Sequence, residues 1–243
     1  MNPPNQPNQP HQPSQPIQLV VLDMAGTTVA DDGLVERAFT AAIGAQGIEA
    51  GTEAYDRMLA HVRATMGESK ITVFRHLLDN DEVAAQQANK AFETSYGNLV
   101  DQGLCAPIDG AEEAIRQLRD EGIKVCLTTG FAETTQRRIL DALGWRELAD
   151  LTLCPAQAGR GRPYPDMVLK ALLELRADAV AAVAVSGDTA YDMTTGVRAG
   201  AGIVAGVLTG AHGKEKLEAA GATHVLESVR DLPGLLLDRK LEN

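Results

Sequence analysis

Short apolar runs, each closed by a small or polar residue, alternate with amphipathic repeats over most of the chain, and that alternation restricts the fold more than any other feature. Leu19-Val20-Val21-Leu22 ends at Asp23 and a turn containing Gly26, the pattern of a strand buried on both faces. Similar runs recur at residues 125–127, 182–185 and 203–207, with weaker ones at 151–153 and 224–226. Between them, residues 112–120, 134–143, 165–175, 193–199 and 214–220 carry apolar side chains at spacings of three and four, which gathers them on one helix face. Such alternation predicts a parallel, doubly wound sheet, because each crossover helix returns the chain to begin the next strand in the same direction.

From residue 34 to residue 104 the strand signal stops. Residues 38–43, 54–64, 71–78 and 83–99 have helical periodicity instead, which predicts a helical module inserted after the first strand. The insertion leaves from the strand's carboxyl end, where open α/β sheets bind ligands, so a cap above the sheet is expected. The expected architecture is an α/β fold with a doubly wound parallel, Rossmann-like core, residues 17–33 and 105–243, and an inserted α-helical cap, residues 34–104. A cap of this kind closes over the crevice, with hinges expected near Gly33 and Leu104. Residues 1–16 repeat Pro, Asn and Gln and can bury too little surface to offset ordering, which predicts a disordered tail.

A net charge of -11 argues against a nucleic-acid surface, since phosphate backbones are held by clustered Lys and Arg. An anionic substrate must then be drawn in by local positive features. Cys105, Cys126 and Cys154 are widely spaced among apolar residues, the pattern of buried thiols rather than of a disulfide or metal framework. No apolar run approaches the roughly 18 to 20 residues that span a bilayer, and the first residues lack the basic and apolar regions of a signal peptide. A soluble, cytoplasmic protein without membrane contact is expected.

The chemically suggestive residues fall at the carboxyl ends of the proposed strands. Asp23 follows the first, Thr128-Thr129-Gly130 the next, then come Arg162 in Gly161-Arg162-Pro163-Tyr164-Pro165 and the segment Gly187-Asp188-Thr189-Ala190-Tyr191-Asp192. Polar residues end strands and cap helices in most proteins, but four such loops in this order converge on one crevice. The order of these segments resembles the haloacid dehalogenase superfamily, and within it the phosphonoacetaldehyde hydrolase, or phosphonatase, branch. The usual Asp-x-Asp of the superfamily is here Asp23-Met24-Ala25, similar to the Asp-x-Ala-Gly-Thr form of phosphonatases. The usual lysine of the third motif is here Arg162, and Met66-Gly67 followed by Lys70-Ile71 resembles the cap segment that carries the Schiff-base lysine of that branch.

The resemblance implies a phosphoryl-accepting Asp23 and an imine-forming Lys70, and general chemistry is consistent with both. A phosphoryl group needs an in-line nucleophile and neutralised oxygens, hence a carboxylate, a magnesium ion and cationic or amide donors. Asp23, the carbonyl of Ala25 and Asp188 form a sufficient set of oxygen ligands for Mg2+, with Asp192 expected to orient Asp188 or a metal-bound water. Thr128, Arg162 and the amides of Ala25, Gly26 and Thr27 are expected to hold phosphoryl oxygens, and Thr129, Gly130 and Met66 to line the substrate. Ala25 is decisive, because its methyl group cannot protonate the alkoxide that leaves in ester cleavage. A neutral lysine can instead form an iminium with an aldehyde and accept the electrons of a breaking C–P bond. Lys70, at the start of a helix with Val73, Phe74 and Leu77 on its face, has a setting that favours the neutral amine, although a solvated surface lysine is the competing reading.

Met24 and Val73 stand where phosphonatases carry Trp and His, and Phe131 where they carry Tyr. His61 and His76 are the candidates to replace the missing His. A magnesium-dependent phosphate monoester phosphatase of the same superfamily is the alternative function, and a catalytically silent member that binds a partner is a third. Retention of Asp23, Arg162, Asp188 and Asp192 argues against silence. Met58, Leu59 and Val62 are expected to give the cap an apolar face suited to a homodimer.

Overall fold

The computed structural model describes residues 16–237. The expected tail, residues 1–16, lies outside the described residues except for Pro16. β1 (Leu19–Asp23) is followed by four helices, α1 (Leu34–Gly44), α2 (Glu53–Ala64), α3 (Lys70–Leu77) and α4 (Glu82–Asp101). Then come α5 (Ala111–Asp120), β2 (Lys124–Thr128), α6 (Glu133–Ala142), β3 (Leu151–Leu153), α7 (Pro155–Ala158), α8 (Asp166–Leu175) and β4 (Val183–Gly187). The chain continues through α9 (Ala190–Ala199), β5 (Ile203–Val207), α10 (Lys214–Ala219), β6 (His224–Leu226) and α11 (Leu232–Leu237).

All six strands are parallel, in the order β3-β2-β1-β4-β5-β6. β1 sits at the centre, and the order reverses direction between β1 and β4, the topological switch point at which such sheets open a crevice. The alternation of side chains along β1 divides the interior. Val20 and Leu22 join one apolar cluster, while Leu19 and Val21 pack on the opposite face with Val183, Val185 and Met167. Both faces of β1 are therefore dry, which explains why it reads as an unbroken apolar run rather than an alternating one.

The first cluster does not stop at the sheet. It runs from Leu22 and Met24 through Phe131 into Phe39, Phe74, Phe92 and Tyr96 of the helical insertion. These aromatic rings form a chain with centroids 4.4 Å apart for Tyr96 and Phe131, 6.0 Å for Phe92 and Phe131 and 6.2 Å for Phe39 and Phe74. The two connections to the insertion run side by side, with Ala30 N donating to Ala106 O and Ile108 N to Thr28 O. Left-handed residues flank them, Asp32 and Gly33 on the way out and Gly103 on the return.

Several elements begin earlier than their apolar spacing implies. α9 starts at Ala190 rather than Met193, because Thr189 and Asp192 close a capping box: Thr189 N donates to Asp192 Oδ2 while Asp192 N donates to Thr189 Oγ1. α4 likewise starts at Glu82 because the Asp81 carboxylate accepts from Ala84 N at 3.0 Å. Polar caps carry no hydrophobic period, so the pattern alone misses them. The three cysteines are buried and free. No helix among the described residues is long and apolar enough to cross a membrane.

Candidate active site

Asp23 is the last residue of β1, and the chain turns sharply after it. The amides of Thr27, Thr28 and Val29 all donate to Met24 O, at 3.1, 2.9 and 2.8 Å, and Gly26 N donates to Val29 O at 2.7 Å. Gly26 adopts φ +84°, and a Cβ there would lie 2.6 Å from Asp188 Oδ2, so both the turn and the carboxylate behind it require glycine. Thr27 Oγ1 donates to Asp188 Oδ1 at 3.2 Å, tying the first loop to the fourth.

Asp188 follows β4 and accepts from Ala211 N at 2.7 Å; a side chain at Gly210 would overlap its carboxylate. Asp192 accepts from Thr189 Oγ1 at 2.5 Å on one oxygen and from Arg162 Nη1 on the other. Arg162 also reaches Asp23 Oδ1 with Nη2 at 2.6 Å, and the residue is 5% exposed. Arg162 therefore bridges the two acids, instead of resting on a phosphoryl group alone. Asp192 is thus tied to Arg162 and to the Thr189 turn.

Oxygens of Asp23, Asp188 and Asp192 lie within 4.8 Å of one another in a buried setting. Burial raises the pKa of Asp188, and the like charges of Asp23 and Asp192 raise it further. Burial likewise raises Asp23 against the opposing pull of Arg162. Three buried carboxylates facing one guanidinium leave an excess of negative charge that is costly in low dielectric unless a cation joins them. The donor set is all oxygen and two of its carboxylates, Asp23 and Asp188, border the cavity, which fits a hard divalent ion such as Mg2+.

That cavity, about 490 Å3, is closed from the other side by the turn before α3. The turn touches three core loops. Gly67, at φ +93°, packs so closely on Thr189 that a Cβ would overlap its hydroxyl. A Cβ at Gly130 would lie 3.0 Å from Glu68 O, and one at Gly161 would lie 3.0 Å from Ser69 Cβ. Lys70 opens α3 immediately afterwards. Its Nζ lies 5.6 Å from the Phe131 ring centre and 6.0 Å from that of Phe92, and it borders the same cavity as Asp23. Burial lowers its pKa, opposed by Asp31 and reinforced by Arg162. Lys70 is thus half-buried among aromatic rings and carboxylates, in place of the solvated position of an ordinary surface lysine.

The sequence model of the haloacid dehalogenase-like hydrolases matches residues 17–200. The chain belongs to that family. Within it, the chain is similar to a phosphonoacetaldehyde hydrolase of Bacteroides fragilis, 29% identical over 267 aligned positions that take in 92% of this chain and 98% of the relative. A phosphonoacetaldehyde hydrolase of Parabacteroides distasonis is 30% identical over 206 positions, 72% of this chain and 76% of the relative. Among solved structures, a phosphonoacetaldehyde hydrolase-like protein from Oleispira antarctica superposes with a TM-score of 0.80 at 26% identity, covering 98% of this chain and 97% of the other. The phosphonatase-like branch of the haloacid dehalogenase hydrolases is where this chain falls.

In this hydrolase the loops expected to converge do converge. Asp23, Ala25, Gly26, Met66, Thr129 and Gly130 border the cavity, as do Lys70, Arg162 and Asp188. Thr128 does not; its hydroxyl donates to Leu22 O at 3.2 Å and so joins β2 to β1. Thr27 is turned to Asp188 as described. His61 and His76 stack on each other with ring centres 4.1 Å apart and are not among the residues bordering the cavity, so neither occupies the place of the missing His. Val62 is buried, whereas Met58 and Leu59 are half-exposed while packing against the same core cluster. Sequence reasoning missed Asp31 and Glu68, which both border the cavity. Only the neighbouring turn glycines, Gly33 and Gly67, hinted at chain segments bent toward a site.

Proposed function

We propose that this hydrolase cleaves the C–P bond of phosphonoacetaldehyde or a closely related small aldehyde phosphonate, through an imine on Lys70 and a phosphoryl group carried by Asp23. The observation that carries the reading is that Lys70 and Asp23 border one cavity, with the methyl group of Ala25 beside Asp23 where an ester phosphatase needs an acid. Residues 34–104 act as the cap, whose closure brings the Met66 to Lys70 turn onto the core loops and sheds water from the reaction. Asp23 and Asp188, with the Ala25 carbonyl, would hold Mg2+, which when bound neutralises phosphoryl oxygens next to the nucleophile.

In this reading the lowered pKa of Lys70 supplies a neutral amine, which adds to the aldehyde and loses water to give an iminium. Asp23 attacks phosphorus in line, and the electrons of the C–P bond pass into the iminium to leave an enamine in place of a carbanion. Arg162 fixes Asp23 through the 2.6 Å bridge and keeps its carboxylate aimed. Water then releases phosphate from Asp23, protonation of the enamine carbon by solvent restores the iminium, and its hydrolysis frees the aldehyde. The amides of Gly26, Thr27 and Thr129 are spent on Val29 O, Met24 O and Leu153 O, so the backbone donors for phosphoryl oxygens are the amides of Ala25 and Gly130.

Borohydride treatment during turnover of phosphonoacetaldehyde, followed by mass spectrometry of the peptide containing Lys70, tests this directly. The expected result is a reduced adduct on Lys70, with Lys70→Arg abolishing C–P cleavage and Asp23→Asn abolishing turnover of every phosphoryl substrate. An unmodified Lys70, together with rapid hydrolysis of small phosphate esters, would favour the phosphatase reading instead.

A further inference from the structure

Imine formation on Lys70 calls for a group that takes a proton from the ammonium and later gives one to the departing water, and no histidine borders the cavity among the described residues. Carboxyl groups are what the cavity offers in its place. Glu36 is committed, accepting from Arg63 Nε at 2.6 Å and from Nη2 at 2.8 Å. Asp23 and Asp188 belong to the phosphoryl side. Asp31, Asp32 and Glu68 are left; Asp32 is exposed and is not among the groups acting on Lys70, and the other two differ in placement.

Asp31 sits at the end of the connection leaving β1, where Asp32 at φ 39° and Gly33 at φ 77° bend the chain in succession. A non-glycine residue at positive φ is uncommon, and two consecutive left-handed residues re-aim the segment toward the cavity. The Asp31 carboxylate is held by Val35 N, which donates to Oδ1 at 3.0 Å, so the start of α1 orients it. Lys70 acts on both Asp31 and Glu68, and of the carboxylates acting back on the ammonium Asp31 exerts the strongest pull, ahead of Asp23 and Glu93. Burial raises the Asp31 pKa, opposed by the Val35 amide and by Lys70, which moves it toward the range in which a carboxyl exchanges protons.

We infer that Asp31 is the proton-exchange partner of Lys70, held by the start of α1 at the cavity wall and taking the part that a cap histidine would otherwise play. The inference rests on the imine reading of Lys70. Asp31 and Lys70 border one cavity without an ion pair between them, so a water passes the proton from the Lys70 ammonium to the Asp31 carboxylate, leaving Asp31 neutral and the amine free. The amine lone pair forms a C–N bond as the carbonyl π pair moves to oxygen, and transfer of one amine proton to that oxygen gives a neutral carbinolamine. Asp31 then protonates the hydroxyl, the C–O bond breaks with loss of water, and the nitrogen lone pair forms the C=N bond. The sum is ammonium plus aldehyde giving iminium plus water, with Asp31 returned to its carboxylate.

The groups bearing on the Asp31 charge are Lys70 from α3, Glu36 from α1 with its partner Arg63 from α2, Tyr96 from α4 and adjacent Asp32. The Asn side chain keeps an oxygen that accepts from Val35 N, so Asp31→Asn keeps that contact and removes only the titrating group. The experiment measures, on the full-length protein, the rate of borohydride-trappable adduct formation with phosphonoacetaldehyde across pH, beside the melting temperature. Asp31→Asn is expected to slow trapping by about 100-fold, as loss of a general acid-base group does, and to flatten the pH profile without altering melting. Asp31→Glu is expected to restore part of the rate and to shift the profile.

Trapping in Asp31→Asn at the wild-type rate with an unchanged profile would overturn the assignment while leaving the imine on Lys70 intact. Equal loss in the Asn and Glu variants with an unaltered profile would also overturn it, as that is the mark of a purely structural residue. Absence of any Lys70 adduct in the wild type would remove the imine reading and this assignment together. If Asp31→Asn does not fold, Asp31→Glu carries the test alone, because a carboxyl moved by one methylene shifts the profile only if it titrates in the reaction.

Discussion

Replacing Gly67 with alanine probes whether the turn before Lys70 must seat on the core for the reaction to proceed. Gly67 holds φ +93°, a conformation that costs an L residue about 1–3 kcal/mol. The added Cβ would also overlap the Thr189 hydroxyl, and Thr189 cannot turn away freely because that hydroxyl donates to Asp192 Oδ2 at 2.5 Å. A hydrogen bond to a charged group contributes roughly 1.5–3 kcal/mol, so the seated state loses about 2–4 kcal/mol by whichever route relieves the contact. The turn relieves this strain by lifting off, which leaves both folded regions intact and carries Lys70 away from Asp23. The expected outcome is a fall in kcat/KM on phosphonoacetaldehyde of about 30- to 1000-fold, with a much smaller change in melting temperature. Steady-state kinetics beside a thermal melt measures both. Activity within about threefold of wild type in a folded Gly67→Ala protein would refute the argument that this contact sets the working geometry.

The acidic cluster predicts a metal-dependent pH response. Asp23 and Asp188 have pKa values raised by burial, so in the metal-free protein they hold protons that the unfolded chain releases, and stability declines as pH rises above the ordinary carboxylate range of about 4. Melting of metal-free protein should therefore be higher at about pH 5.5 than at about pH 8, and Mg2+ should raise it more at the higher pH, where it replaces the missing positive charge. Arg162→Met removes the guanidinium that bridges Asp23 and Asp192, leaving buried acids uncompensated. Chemical denaturation should show a loss of about 3–5 kcal/mol, largest at alkaline pH and reduced in acid, where the carboxyls take up protons. Lys70→Arg keeps the charge and the helix start, so it should melt like wild type while losing C–P cleavage in the phosphate-release assay.

Much of the site was legible because its residues stand at strand ends. A buried parallel strand forces an apolar run, and the first polar residue after it must face the crevice, as with Asp23 after Leu22 and Asp188 after Gly187. Lys70 was legible through the Met66-Gly67 segment. Its immediate environment was not, because Phe92 and Phe131 come from distant parts of the chain and meet Nζ only after α4 packs beside α6. Thr128 and Thr129 show the limit of the pattern. Adjacent residues on a strand point to opposite sides, and the sequence alone cannot say which of two identical side chains turns to the cavity.

Local chemistry in the chain determined the alternation of strands and helices, the inserted helical segment and the acids that end the strands, since each depends on periodicity or on the residue at one position. The tertiary structure alone decided which groups share the cavity. Arg162 bridges Asp23 and Asp192, His61 and His76 stack on each other away from the cavity, and Asp31 joins Lys70 at its wall. Those pairings join residues tens to more than a hundred positions apart, except for the histidines, and distance through space is fixed by how the helices pack on the sheet. No short stretch of sequence encodes that packing, because it is set by the sum of many buried contacts.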